Sequence, residues 1–494
     1  MVSVGSVRRA LSIFRPVGIA SGLLLACTSG SGDETSATDS SSSATDSTAT
    51  GTTNATETAT ETATETGGEA ARPNWYQDIA PLVTRSCVGC HVAGGIGPFA
   101  MESYEQTWPW ATVIADNTDV GLMPPWHALS TEVCEPPSGF KHDPRLTDAE
   151  KAMLRDWADL GAPEGDPELA APLPEPQSLD LPNSTKTALM ASKLTVEAKG
   201  STLDFFNCLS IDPGISETVF LDGLQLVVGN RAILHHVLIY VDSTAESADW
   251  PGGVKLDCGG GTGINGPAEL ISGWVPGSLP MQAPDGVKIP IEAGSRLILN
   301  VHYHATGGGA EVDDSTGLAF RWSDTPPEYT SIFKLLGEPG ESERLTGPLM
   351  IPAGATNHVE EFEWVVSDGG QPFPDTVDAR LWSVAHHMHK IGIDMRVSVI
   401  DRDSGEETCL LHTPKWDFDW QRFYEYDTPI GEAVRLKSGD KIRLKCIYDN
   451  SLGNPAAVEA LAEVGLDAPV DVVAGEGTLD EMCIGAFGIA LKGL

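Results

Sequence analysis

Leu297-Ile-Leu-Asn-Val-His302-Tyr-His304 alternates side chains with the two-residue period of a half-buried strand. Similar short runs occur at Ala232–Val241, Ala379–Val384 and Lys441–Ile447, separated by Gly, Pro and Asp. Runs of this length, at this spacing and with turn residues between them, predict an antiparallel β-sandwich after about residue 186. Gly261-Thr-Gly263-Ile-Asn-Gly266 matches the dinucleotide-binding pattern in letters only. Pro267 follows at once and no βαβ unit surrounds it, so it is a loop.

The same region gathers histidines: His235-His236, His302 with His304, and His386-His387-Met388-His389. Residues two apart on a strand share a face, so His387 and His389 can hold one ion together. Adjacent His235 and His236 cannot do so on a regular strand and need a strand end or a bulge. A single histidine is ordinarily structural; three clusters at sheet ends point to metal. Imidazole sites suit zinc, copper or iron, and a thioether favours copper. The thioether candidate is Met482, in Asp480-Glu481-Met482-Cys483.

The 494-residue chain has 31 Lys and Arg against 70 Asp and Glu, a formal charge of −39. A body this acidic repels phosphate backbones, which argues against nucleic-acid partners. Arg8, Arg9 and Arg15 precede a short apolar run, Gly18–Ala26, that ends at Cys27. This pattern reads as an export signal over 1–27. Leu24-Leu-Ala-Cys27 resembles a bacterial lipoprotein signal, in which Cys27 is lipidated. The expected location is a periplasmic or surface-facing lipoprotein, with the outer membrane favoured because Thr28 follows the lipid-bearing Cys. No later stretch approaches the eighteen or so apolar residues of a membrane span, so the membrane is met only through the anchor. Apart from Asn54, residues 28–71 are Ser, Thr, Ala, Gly and acid, with Glu57-Thr-Ala-Thr60 repeated at 61–64. Such a composition reads as a disordered tether.

Residues 72–166 read as a small all-α domain. Thr147-Asp-Ala-Glu150 is a capping box, followed by Met153, Leu154, Trp157 and Leu160 on one helical face. Near its start, Cys87-Val-Gly-Cys90-His91 has the spacing for two thioether bonds to haem with the adjacent His on the iron. A redox Cys pair would open a helix in a βαβ unit, and a zinc site would need a second ligand pair; neither is evident. Met123, in Gly121-Leu-Met-Pro-Pro125, is the expected sixth ligand, with Met101 assigned to the core and His127 to the surface. The domain resembles a class I cytochrome c, with one c-type haem. Residues 167–185, rich in Pro, Ala and Glu, read as a semi-stiff linker.

From about Leu203 to Leu494 the chain resembles the copper type II, ascorbate-dependent monooxygenases, the family of peptidylglycine hydroxylating and dopamine β-monooxygenases. The resemblance rests on Leu234-His-His-Val-Leu-Ile239, Leu299-Asn-Val-His-Tyr303, His387-Met-His-Lys-Ile-Gly392 and Glu481-Met-Cys483, all in family order. It implies two jelly-roll-like β-sandwich copper domains, at 186–325 and 326–494, with two coppers per chain. His235, His236 and His302 are implied to bind the electron-storing copper. His387, His389 and Met482 are implied to bind the copper where oxygen is activated, as the catalytic site. Cys446 is implied to pair with Cys483; the pairing of Cys134, Cys208, Cys258 and Cys409 does not follow from spacing. His304 and His386 have no ligand counterpart. Ala385 and Ala486 stand where peptide-amidating members place an Arg and a Tyr that grip a carboxylate, so a glycine-extended peptide is not the expected substrate.

These readings combine into an exported monooxygenase that hydroxylates a C–H bond of a small organic molecule with O₂. Electrons would come singly from a one-electron donor, either the chain's own haem or ascorbate. The competing expectation is a copper and haem electron-transfer lipoprotein without catalysis.

Overall fold

The computed structural model describes residues 72–493 except 177, 179, 201, 338–343, 368–369 and 476. The export signal, Cys27 and the tether expected over 1–71 lie outside the described residues.

The first described part is helical. A π-helical turn, Trp75–Ile79, runs into the helix Ala80–Ser86, and the helices Ala111–Asp119 and Asp148–Asp159 follow. The last begins at the expected capping box. The Glu150 N–H donates to the Thr147 hydroxyl at 3.3 Å, and the Thr147 N–H donates to the Glu150 carboxylate at 2.8 Å. Burying Trp75, Ile79, Met101, Ile114, Leu154 and Trp157 together gives these short helices a small core of their own.

The sequence reading places everything from 72 to 166 in one compact unit, but the structure takes residues 126–143 out of it. Trp126 and Ala128 are buried among the side chains of the C-terminal β-sandwich. The Leu129 N–H donates to the His412 carbonyl at 2.9 Å, the Lys141 N–H donates to that of Glu425 at 2.8 Å, and Cys134 is bonded to Cys409. This strap has no helical periodicity, and its two large aromatics find partners on the sheet. Trp126 meets Tyr424 edge-on at 5.1 Å, and Phe140 lies 5.2 Å from Tyr426.

The rest is mostly β-sheet. One core joins the five-stranded sheet carrying Asp204–Ile211, Leu234–Asp242, Glu269–Trp274 and Arg296–His304 to strands such as Val219–Val227 and Gly317–Ser323. The other core lies between the four-stranded sheet of His358–Val365, Lys441–Tyr448, Gly392–Ile400 and Glu407–Thr413 and the strands Tyr329–Leu336, Ile484–Lys492 and Asp378–His387. Two β-sandwiches result. They are not simply beads on a string, because a ten-stranded sheet runs through both. The joint is a parallel pairing of Val287–Ile291 with Tyr329–Leu336, Tyr329 opposite Val287. That joint places the outer face of the five-stranded sheet opposite the strands that carry the second histidine cluster.

Candidate metal centre

His236 and His302 are direct cross-strand partners on Leu234–Asp242 and Arg296–His304. The next pair is Tyr303 with Leu234, so the ladder skips His235. His235 is thus the extra residue of a bulge, the local device by which two adjacent histidines reach one site. His236 Nδ1 lies 3.1 Å from His235 Nδ1 and 3.3 Å from His302 Nδ1. One ligand nitrogen from each of the three lies within 4.8 Å of the other two. His302 Nε2 is 2.8 Å from an Asp204 carboxylate oxygen. Donating that N–H leaves the Nδ1 lone pair facing the other rings, the arrangement in which a carboxylate orients a metal-binding imidazole. His304 Nδ1 also bonds Asp204, at 2.9 Å, outside the triad. Burial works against ionised Asp204, but the hydrogen bonds from His302 and His304 win and hold it below the ordinary carboxylate range.

The second cluster sits at the end of Asp378–His387 and just beyond it. The His387 Nδ1–H donates to the Gln421 side-chain oxygen at 2.6 Å, and the His389 Nδ1–H to the Asp480 carbonyl at 2.8 Å. Both Nε2 atoms are thereby left as lone-pair donors, with ring centroids 5.0 Å apart. Met482 lines the same cavity, and the Tyr448 hydroxyl donates to its carbonyl at 2.7 Å. Its neighbour Cys483 is bonded to Cys446. Glu481 is buried beneath the site and accepts from the N–H groups of His389 at 2.8 Å, Ile391 at 3.0 Å and Met482 at 3.2 Å. Burial pushes its carboxyl up to about 8 against those three donors. His386 points into the core instead, its Nε2 2.5 Å from the Thr413 hydroxyl.

The clusters meet. The His236 and His387 rings are 6.3 Å apart, across a cavity of about 1140 Å³ lined by both sets. Phe418 closes one side, with its ring 5.2 Å from His235, 5.9 Å from His389 and 6.5 Å from His387. Phe418, Gln421 and Asp204 are site residues that the sequence reading missed. A lone Phe, Gln or Asp in a loop or at a strand start carries no periodic signal.

Burial holds the imidazoles neutral, with His235 and His387 lowered to about 3, His389 to about 4 and His236 well below its ordinary value. Neutral imidazole is the form that binds metal. The metal-free protein should therefore lose stability on mild acidification. These groups take up protons in the unfolded chain below about 6.5 but not in the folded one, so stability is full above 6.5 and falls toward pH 3–4. Each such group is worth at most about 1.4 kcal/mol per pH unit. Glu481, raised to about 8, works in the opposite direction and offsets part of this, so melting curves of the metal-free chain should give a Tm at pH 5 lower than at pH 7.5 by roughly 5 °C; a flat profile contradicts the neutral imidazoles.

In the helical part, Cys87 and Cys90 are unpaired. Burial pushes the Cys87 thiol up to about 12 and raises Cys90 despite the nearby charge of Arg422. A redox Cys pair needs the opposite shift. The His91 Nδ1–H donates to the Phe99 carbonyl at 2.9 Å, leaving Nε2 as a lone-pair donor, and Phe99 stacks on Trp110 at 4.4 Å. Trp108, Trp110, Val113, Val120 and Leu122 are exposed along the neighbouring stretch. The half-buried Met123 donates its N–H to the Asn117 carbonyl at 3.2 Å. Met101 packs in the helical core.

Over 270 residues the chain is 23% identical to DBH-like monooxygenase protein 2 of Mus musculus. The match covers 52% of this chain and 38% of the mouse protein, so the chain spans well under two thirds of that relative's length. It supports the monooxygenase resemblance carried by the ligand motifs. No protein-family model matches. Among solved structures, the major capsid protein P2 from bacteriophage PM2 aligns over 62% of this chain and 98% of its own, at 12% identity and a TM-score of 0.26. The infectious bursal disease virus VP2 subviral particle aligns over 63% and 73%, at 10% and 0.13. Those superpositions are too loose to bear on function. The described residues also contain three disulfides, Cys134–Cys409, Cys208–Cys258 and Cys446–Cys483, which suit a secreted or extracellular setting. Among them no helix is long and apolar enough to cross a membrane.

Proposed function

We propose that this chain is an exported copper-dependent monooxygenase that hydroxylates a C–H bond of a small organic molecule with O₂. The observation that carries the reading is the meeting of two imidazole clusters across one cavity. His235, His236 and His302 would hold one copper, and His387, His389 and Met482 the other. The donor sets fit the metal: burial keeps His235, His236, His387 and His389 uncharged, the outward nitrogens of His302, His387 and His389 are engaged by Asp204, Gln421 and the Asp480 carbonyl, and a soft thioether borders the second set. A c-type haem would be held by Cys87, Cys90 and His91, with Met123 as sixth ligand. Two unpaired thiols, a neighbouring His91 already held through Nδ1 and a band of exposed apolar side chains support it. When bound, the coppers supply one-electron chemistry toward O₂ and the haem supplies electrons singly.

The chain's own contribution is positional. Asp204, Gln421 and the Asp480 carbonyl hold N–H protons away from the cavity, so the facing nitrogens stay free to bind. Glu481 ties the backbone of His389 and Ile391 to that of Met482, joining the two segments that carry the second set. Phe418 shields three rings from water. Lipidation at Cys27 would place the enzyme on a bacterial membrane surface, the outer membrane by preference, with an external one-electron donor as partner.

The test is metal analysis with a visible spectrum on mature protein matured with haem and copper. Two coppers and one low-spin haem per chain are expected, with Met482→Ala losing one copper. One copper or none, with haem present, overturns the monooxygenase reading.

A further inference from the structure

The wall beside the second cluster is built for a ligand without charge. Leu335, Ala486, Ala385 and Phe423 lie directly opposite one another on four adjacent strands, forming a single row across the sheet. All four line the cavity, while their chain neighbours Leu336, Phe487, Val384 and Tyr424 are buried in the core of the second sandwich. The strand period therefore turns the whole row toward the cavity. Two large apolar side chains flank two methyl groups, which makes a shallow trough with an apolar floor.

The trough runs beside the chemistry. Ala385 and His387 are two apart on one strand and share a face, a separation of about 6–7 Å at roughly 3.3 Å per residue. Ile484 stands opposite His387 and continues the apolar floor to the histidine. The facing wall is apolar too: Leu238, Tyr240 and Leu270 of the first sandwich pack in one cluster with Phe333 and Leu335.

Several of the charged groups that border the cavity have partners within the protein. Lys390 pairs with Glu463 at 2.5 Å, Asp204 with His302 and His304, and the Arg422 guanidinium lies 5.7 Å over the Trp126 ring. The row itself holds no charged side chain, so a ligand charge seated over the two alanines would lose water against methyl groups without gaining a partner from the floor.

We propose that the trough of Leu335, Ala486, Ala385 and Phe423 seats an uncharged, predominantly apolar substrate, presenting one of its C–H bonds toward His387 and His389. The word substrate rests on the monooxygenase reading; the seat itself does not. Filling the trough at either alanine would exclude the ligand without touching a metal-binding residue.

The experiment is a fluorescence titration of the full mature, copper-loaded chain under argon, so that no turnover occurs. Three probes share one ring system: 2-(2-naphthyl)ethanol, 2-naphthylacetate and 2-(2-naphthyl)ethylamine. The neutral alcohol should bind at least ten-fold more tightly than either ion. Ala385→Arg and Ala486→Phe should each weaken it at least ten-fold, with copper content and Tm kept. Ala385→Val, a smaller filling, should give a graded loss and guards against misfolding of the larger variants. Equal or tighter binding of an ion overturns the proposal, as does unchanged binding of the alcohol in well-folded variants. If the chain binds the alcohol as expected but takes up no copper, the enzyme reading falls and the seat stands. If it takes up two coppers and prefers an ion, the seat falls and the enzyme reading stands.

Discussion

His236→Ala should reduce bound copper from about two per chain to about one and abolish monooxygenase turnover, while the metal-free variant melts close to the parent. His236 is the hub of the centre. Its Nδ1 is within 3.3 Å of the corresponding atoms of both His235 and His302, and its ring is 6.3 Å from His387 of the other cluster. Losing even an outer partner of a ligand typically lowers metal affinity 10–100-fold, so loss of one of three ligands should exceed that range. Stability should not suffer in the same way, because the imidazole is buried without charge and its removal relieves a desolvated polar group. Metal analysis after dialysis, with turnover and a melting curve, reads all three quantities. Retention of two coppers would show that the convergence of the three rings is not a binding site. Loss of both would show that the clusters bind as one unit.

Removing the Cys134–Cys409 bridge by the double change Cys134→Ala and Cys409→Ala should cost roughly 2–5 kcal/mol, among the largest stability effects available in this chain. The two cysteines are 275 residues apart, and a loop that long gives the unfolded chain much freedom to lose when it is closed. The bridge also clamps the strap of 126–143, whose Trp126 and Phe140 rest on Tyr424 and Tyr426. The variant should unfold at lower urea and be cut by protease between 127 and 143, where the parent resists. If the Cys87–Cys90–His91 loop holds the proposed haem, its spectrum should be unchanged in this variant, because the helical core of Trp75, Met101, Leu154 and Trp157 does not involve the strap. An unchanged urea midpoint would mean that the aromatic contacts alone hold the strap.

Local chemistry made much of this legible in advance. A two-residue alternation specifies strands wherever one face is buried, so the β character of Leu297–His304 and Ala232–Val241 needed no tertiary information. The capping box at Thr147 is likewise complete within four residues. That His235-His236 needs either a strand end or a bulge followed from strand geometry alone, and the ladder, which skips His235, shows that the bulge is used. Residues 126–143 were less legible. Aromatic residues in an irregular segment state that they will be buried, not against what. The cysteines behave similarly: a pairing 275 residues long is decided by where two surfaces meet, and spacing carries none of that.

The identities of the candidate ligands and their grouping on strands belong to the sequence by itself, because donor chemistry and side-chain period are properties of a few consecutive residues. The distance between the two clusters, the shielding ring of Phe418 and the row of Leu335, Ala486, Ala385 and Phe423 come only from tertiary structure. Each depends on the register of strands far apart in the chain and on the parallel joint between Val287–Ile291 and Tyr329–Leu336. Register is settled by the burial of whole faces at once, a cooperative choice that no short stretch contains.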